Sequence, residues 1–417
     1  MYAAIDSKTR KITKNYAVVG GTTRKITKMY GVVNGVTRLI WSAGGGAYAA
    51  LVYLKNTYQG LICRYDIATQ TIKQLSIGYS PSWMISGDGN TIITCDSTSV
   101  SPASSENTVT LTVYRYDETQ VNFVKKYSVD IWQYLRPIIY SKTNNGENSG
   151  GQWNFAVSYD GSNLLIGVYA YDVSGSDTDL ENAHYGYISC NLSDTELSAT
   201  TRYLTTYTPD TDYFSRSQGY LPVIAADDNF KVYQIGYSFD QSSGNHTETQ
   251  YYTVTGNGTS TSESTGYSPG SNWYITPDGK YQVTLTYSSG RYLNFYYINK
   301  GTTNIGKQSV QNATTYRYQY NEEEEILFVW TRSNTSAIIY MYKLSTTSVT
   351  LLGAMSWTGY IETISRNLNY MVAEEDSSGA TNYWKLSRDS TGKATAATTI
   401  SQIDSSTIAT DKWAWQE

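Results

Sequence analysis

The sequence predicts an all-β chain: an N-terminal arm of three β-hairpin copies over residues 1–45, then a β-propeller over residues 46–417. Three observations carry this. The first 43 residues repeat one 14-residue unit three times, Tyr2 to Asn15, Tyr16 to Met29 and Tyr30 to Ala43. The rest repeats an apolar-x-x-Asp/Asn turn at intervals of 72, 67, 51, 43 and 46 residues. The composition, with 41 Tyr, 10 Trp, 7 Pro and only 16% charged residues, is that of strands joined by polar loops.

In the arm, Tyr2, Tyr16 and Tyr30 open the units, and Thr9-Arg10, Thr23-Arg24 and Thr37-Arg38 recur in register. Gly20-Gly21 and Asn34-Gly35 supply the positive φ that two-residue hairpin turns require. Each unit therefore reads as strand, turn, strand. An isolated hairpin is marginal in water, so the arm needs strands from elsewhere. Eight basic residues against Asp6 give residues 1–45 a charge of +7, and the chain total of −5 leaves −12 on the body. Charge segregated in this way is the pattern of an interaction tail; the plainer reading is a cationic edge that discourages strand aggregation.

In the body, the turn pattern falls at Ile85/Asp88/Ile93, Val157/Asp160/Leu165, Ile224/Asp227/Val232, Ile275/Asp278/Val283, Tyr318/Asn321/Ile326 and Ile364/Asn367/Val372. Asp88, Asp160 and Asp278 precede Gly, a strong short-range hairpin signal. The shorter spacings match a four-stranded propeller blade, and the longer ones a blade with insertions. Ser97 to Asn107, Ser141 to Gly151, Ser174 to Glu181 and Gly256 to Gly266 read as the inserted loops. Residues 47–78 supply strands two to four of a unit and lack the first. Ile408 to Asp411 repeats the turn pattern, so a C-terminal strand is expected to close a seventh blade; six blades is the alternative. A pair of β-sandwiches or a β-helix is the competing architecture.

Catalytic chemistry is not expected. His184 and His246 read as loop residues with no nucleophile motif beside them. Cys63, Cys95 and Cys190 form neither a disulfide framework nor a zinc pattern and read as small buried residues. Asp172, Asp177, Asp179 and Glu181 form an oxygen-rich stretch open to Ca²⁺, though not with the spacing of a known calcium loop; no cofactor is otherwise expected. Glu322 to Glu325 read as a solvated hairpin tip. A propeller glycosidase needs only two carboxylates, but the Asp-Gly turns lack the trailing tryptophan of the Asp boxes in such enzymes. No signal-peptide pattern or bilayer-length apolar run is present, and a pI near 5.3 argues against nucleic acid as a partner. The aromatics read individually as packing residues and collectively as a binding surface, with Tyr203 to Tyr220 and Tyr251-Tyr252 as rim loops.

The stretch Lys25 to Trp41, KITKMYGVVNGVTRLIW, and its upstream copy resemble short N-terminal repeats in virion proteins of tailed phages of Firmicutes, many of them gut phages. The family form is similar to G-V-N-G-V-A-R-K-I-K-K-x-Y; Gly31 to Arg38 follow it with Thr37 in place of alanine, and the first copy has Asp6-Ser7-Lys8 instead of the glycine turn. The resemblance covers about the first tenth of the chain. It implies a structural protein of a bacteriophage virion, made in the host cytoplasm: a tail or baseplate appendage, or a head fibre or capsid decoration. Tyr2, Arg10, Tyr16, Arg24, Tyr30, Arg38 and Trp41 are then the candidate virion-anchoring residues. Expected partners are other virion proteins through residues 1–45, further copies of the chain, and a host-surface glycan or protein, with no membrane insertion. A polysaccharide depolymerase and a decoration protein without a host ligand are the alternatives.

Overall fold

A computed structural model describes backbone and side chains for residues 48–55, 60–78, 80, 82–101, 106–139, 150–171, 185–202, 227–228, 274–286, 290–298, 303–313, 315–331, 336–374, 380–403 and 412–416. For the arm, for most of residues 203–273 and for a few strand-end residues it describes the strand paths alone.

Seven antiparallel sheets of four or five strands follow one another, so the body is a β-propeller with seven blades rather than six. In each, the chain runs from an inner strand outward. Blade 1 takes its inner strand, Trp413–Gln416, from the C-terminus and its other three, Ala50–Lys55, Leu61–Asp66 and Thr71–Ser76, from the start of the body. The closing strand thus lies just beyond the expected position: Ile408 to Asp411 precede it and are outside the described residues. Blades 2 to 7 have the inner strands Ser82–Ile85, Ser149–Val157, Val223–Ala226, Trp273–Ile275, Thr315–Asn321 and Ile361–Ile364. Blade 4's inner edge also carries the short strand Ser217–Gly219, and Ser99–Val100 of the blade 2 insertion pairs along the inner edge of blade 3. The arm forms three two-stranded sheets, Tyr2–Ile5 with Lys8–Lys11, Asn15–Val19 with Thr22–Ile26, and Lys28–Val33 with Val36–Ser42. The first copy pairs like the others despite Asp6-Ser7.

Aromatics hold neighbouring blades together. Trp83, Phe155, Tyr318 and Trp413 occupy the same inner-strand level, opposite Thr94, Ile166, Val329 and Tyr53. Each wedges against the preceding blade, as where Trp413 packs with Val372 and Tyr383 of blade 7. Tyr274 of blade 5 stacks on Tyr318 of blade 6 at 4.9 Å and 9°. Large flat rings fill the widening gap between twisted sheets with few rotatable bonds, which assigns many of the aromatics to packing. Tyr203 and Tyr251-Tyr252 lie in strands rather than in rim loops.

Outer strands are free edges and invite pairing. Those of nine or more residues, Asn122–Asp130, Leu197–Tyr207, Thr302–Val310, Val349–Thr358 and Ala394–Asp404, all carry bulges, whereas the six- and four-residue outer strands of blades 1 and 4 have none. The extra residues include Lys126, Leu204, Ile305 and Leu352. A bulge twists the edge and interrupts its hydrogen-bonding row, so length and bulging together blunt the rim.

Among the described residues one helix, Trp132–Ile139, interrupts the all-β pattern between blades 2 and 3. The Asp130 carboxylate accepts from the Trp132 and Val109 backbone N–H groups at 2.9 Å and fixes its start. Its apolar face buries Trp132, Leu135, Ile138 and Ile139 in the core shared by those blades. A Cβ on Gly186 would stand 2.6 Å from Ile138 Cδ1 and 2.7 Å from the Arg202 carbonyl oxygen. Because one obstacle is backbone, Gly186→Ala is expected to cost about 1–3 kcal/mol by overpacking. Urea unfolding of the two chains measures this, and equal midpoints would mean that the helix seat yields.

Candidate functional site

The turns between inner and second strands carry the repeated Asp and Asn. Four share one hydrogen-bond pattern: Ser86-x-Asp88, Ser158-x-Asp160, Thr276-x-Asp278 and Ser365-x-Asn367. In each, the hydroxyl donates to the side-chain oxygen two residues on, at 2.5–2.8 Å. The same hydroxyl accepts the backbone N–H five residues on, at 2.9–3.0 Å. The Asp or Asn caps the turn through a further backbone N–H at 2.9–3.1 Å. Gly89, Gly161 and Gly279 have φ of +72°, +67° and +70°, which explains the Asp-Gly spelling; the buried Leu368 adopts +57° at the corresponding place.

Two of the six predicted positions shift by one. Ala226 pairs with Tyr233 and Tyr320 with Leu327, as Ile85 pairs with Ile92, so Asp227 and Asn321 stand where the other turns have Ser or Thr. Asp228 then falls at the position of Gly87, Tyr159, Pro277 and Arg366, the turn residues nearest the axis.

These axial residues are stitched together across blades. Asp88 N–H donates to the Tyr159 carbonyl at 2.9 Å, Tyr159 N–H to that of Asp228 at 3.0 Å, and Asp228 N–H to that of Pro277 at 3.1 Å. Arg366, from blade 7, crosses to blade 4 and donates from Nη1 to Asp228 Oδ2 at 2.7 Å. Its guanidinium lies over the Tyr159 ring, 4.4 Å from the centroid. Gly87 leaves room for that ring: a Cβ there would overlap Tyr159 Cδ2. Both charged side chains are about a quarter exposed, 27% for Arg366 and 26% for Asp228. Burial pushes the Asp228 carboxyl up to about 6; Arg366 pulls it down, while Asp227 and Glu322 oppose that pull. A guanidinium held between a carboxylate and an aromatic face is the bonding of a strut across the ring.

Other candidate groups are placed as follows. His184 lies within the strand Leu180–Leu192 and His246 opens the strand His246–Thr255, so neither is a loop residue. Asp172 and Glu181 each stand one residue inside the facing ends of the blade 3 strands Asn163–Val173 and Leu180–Leu192, with Asp177 and Asp179 outside the described residues. Among the described residues, no group of three or more His, Cys, Asp or Glu is placed to hold a metal ion. Cys63, Cys95 and Cys190 are buried and not joined in disulfides; burial pushes the Cys95 thiol up to about 11 and that of Cys190 to about 12. Glu322 to Glu325 form the blade 6 turn, where Arg388 pairs with Glu324. A shallow cleft of about 360 Å³ on blade 3, between Asn163, Asn191 and Glu196, has its polar groups largely bonded to one another, as in Asn163 Nδ2 to Ser162 Oγ at 2.8 Å. No helix among the described residues is long and apolar enough to cross a membrane.

The strands of the arm include all seven proposed anchoring residues, whose side chains lie outside the described residues. By register, Tyr2 is opposite Lys11, Arg10 opposite Ala3, Tyr16 opposite Lys25 and Arg24 opposite Ala17. In the third hairpin, Tyr30 is opposite Leu39, Arg38 opposite Gly31 and Trp41 opposite Met29.

No protein-family model matches the chain, and no curated protein matches it. Solved structures are similar at low identity. A candidate 6-phosphogluconolactonase from Bacteroides fragilis shares 13% identity at a TM-score of 0.48, over 86% of this chain and 97% of that one. A second, from Bacteroides uniformis, shares 14% at 0.48, over 85% and 98%. A protein from Lactobacillus plantarum shares 12% at 0.47, over 89% and 100%.

Proposed function

We propose that the chain is a structural protein of a bacteriophage particle, anchored through residues 1–45, whose propeller is displayed to bind a host-surface glycan or protein. One topological observation carries the reading. The arm joins the ring at Tyr48-Ala49, where Ala49 N–H donates to the Gln416 carbonyl at 2.8 Å. That junction lies on the face formed by the turns between first and second and between third and fourth strands. Every such turn is short, three to five residues. The opposite face carries the long connections: 18 residues between Asp130 and Ser149, 14 between Cys95 and Thr110, and nine each between Tyr207 and Ser217 and between Glu263 and Trp273.

A tether on the uniform face and variable loops on the other is the layout of an anchored binder, since loops on a rigid scaffold are where recognition is carried. The resemblance of the arm to tailed-phage virion repeats, and its charge of +7 against −12 on the body, support the same assignment. Deleting residues 1–43 is expected to leave a folded propeller whose incorporation into particles falls at least tenfold, read by quantitative immunoblot of purified virions. Undiminished incorporation would reject the anchoring role.

A further inference from the structure

The short-turn face is also where the body concentrates negative charge. Its thirteen turns hold thirteen carboxylates against five basic residues. Arg115 and Arg388 reach Asp194 and Glu324 from neighbouring strands, which still leaves six carboxylates in excess. The connections between second and third strands and between blades hold ten against four, the same excess of six spread over nearly twice as many residues. Glu118, Glu196, Glu323 and Asp389 are exposed at turn tips of blades 2, 3, 6 and 7, so the exposed acidity lies on two adjacent pairs of blades.

The basic arm springs from this same face. From its geometry we infer that the acidic turn face of one propeller is the docking surface for the basic arm of a second copy of this chain. Charge complementarity selects the arm as occupant. The distribution of charge within the arm selects a second copy: Lys8, Arg10, Lys11, Lys14, Arg24 and Lys25 all precede the third hairpin. The third hairpin, Lys28–Val33 with Val36–Ser42, is tied to its own ring by the five residues between Ser42 and Tyr48 and carries only Lys28 and Arg38. Those five residues span at most ~20 Å, so the weakly charged hairpin stays near its own ring and the strongly charged ones extend beyond it. The three hairpins are two-stranded sheets with open edges and gain stability by gathering with strands of other copies. Arms gathered into a cationic hub, ringed by acidic faces, leave every long-loop face pointing outward. This goes beyond the particle anchor proposed above and stands or falls separately from it.

The test uses full-length chains and sedimentation velocity. The unmodified protein is expected to self-associate at 50 mM NaCl, with an apparent Kd at least tenfold weaker at 500 mM, because screening acts on such a contact. An arm variant (Arg24→Glu, Lys25→Glu, Lys28→Glu) and a face variant (Glu118→Lys, Glu196→Lys, Glu323→Lys) should each lose self-association. Mixed in equal amounts, the two should recover association, the reversed arm of one meeting the reversed face of the other. All six positions are in the arm or exposed at turn tips, and unchanged thermal melting of each variant confirms that it folds. A monomeric unmodified chain at 50 mM NaCl, or a mixture that stays dissociated, overturns the inference; the second result is also what an arm folded onto its own ring would give. Particle incorporation is read independently, so loss of the anchor reading leaves this outcome unaffected.

Discussion

A chain ending at Lys412 is expected to lose its cooperative fold. Trp413–Gln416 is the inner strand of blade 1, and its side chains bond blades 7, 1 and 2 at once. Trp413 Nε1 donates to Glu362 Oε2 at 3.3 Å and Trp415 Nε1 to Thr363 Oγ1 at 3.1 Å, both in blade 7. Gln416, 3% exposed, accepts from Arg64 Nε at 2.6 Å in blade 1 and donates to Asn90 Oδ1 at 2.7 Å in blade 2. Trp413 stacks on Tyr53 at 4.4 Å, and Trp415 meets Tyr48 and Tyr383. Losing Trp415 alone (Trp415→Ala) should cost about 3–5 kcal/mol. Truncation removes both indoles, the Gln416 bonds and a sheet strand together, which exceeds the roughly 5–15 kcal/mol that a domain has in hand. Urea unfolding followed by tryptophan fluorescence checks the point variant; protease resistance and dye binding to exposed apolar surface check the truncation. A truncated chain as protease-resistant as the full one would show that six blades close without the C-terminal strand.

How much of this was legible in the sequence follows from how local each feature is. Asp88-Gly89, Asp160-Gly161 and Asp278-Gly279 announce their turns because a positive φ needs glycine. The hydroxyl two residues earlier, at Ser86, Ser158, Thr276 and Ser365, carries the other half of the turn's bonding, and the spacing Ser/Thr-x-Asp/Asn would have exposed it. It would also have corrected Asp227 and Asn321, which stand in the hydroxyl's place. The helix Trp132–Ile139 was hidden by Pro137 and by strand-forming neighbours, although Trp132, Leu135, Ile138 and Ile139 have helical spacing behind Asp130. His184 and His246 read as loop residues because polar neighbours surround them, yet long blade strands run through those stretches. Arg366 left no local trace: its partner is 138 residues away, and only closure of the ring brings blades 7 and 4 face to face.

That cross-axis pair makes stability depend on pH in a direction opposite to the usual one for a salt-bridged carboxylate. Asp228 is held at about 6 in the fold, against 3.8 for the unperturbed group, because burial outweighs the pull of Arg366. The folded protein therefore binds this proton more tightly than the unfolded chain does. Its contribution is most favourable below pH ~4, falls as pH rises through about 4–6, and is constant above that range. The side chain is a quarter exposed, so the loss is on the order of 2–3 kcal/mol at most. Relative to Asp228→Asn, which cannot ionise, the unmodified chain should lose that much stability between pH 4 and pH 7. Comparing the two chains cancels the other titrating groups. Arg366→Ala has the larger effect at neutral pH. It leaves the Asp228 carboxylate beside Asp227 and Glu322 without its cation and uncovers the Tyr159 ring, for a cost of about 3 kcal/mol. Because the remaining charge is then less tolerable, the pH-dependent loss in Arg366→Ala should be steeper and extend above pH 6, whereas the double variant Asp228→Asn, Arg366→Ala should be flat. Urea midpoints at pH 4.5, 6 and 7.5 measure all four chains. If the unmodified protein gains stability relative to Asp228→Asn as pH rises, Arg366 dominates burial, and the strut is an ordinary salt bridge across the axis.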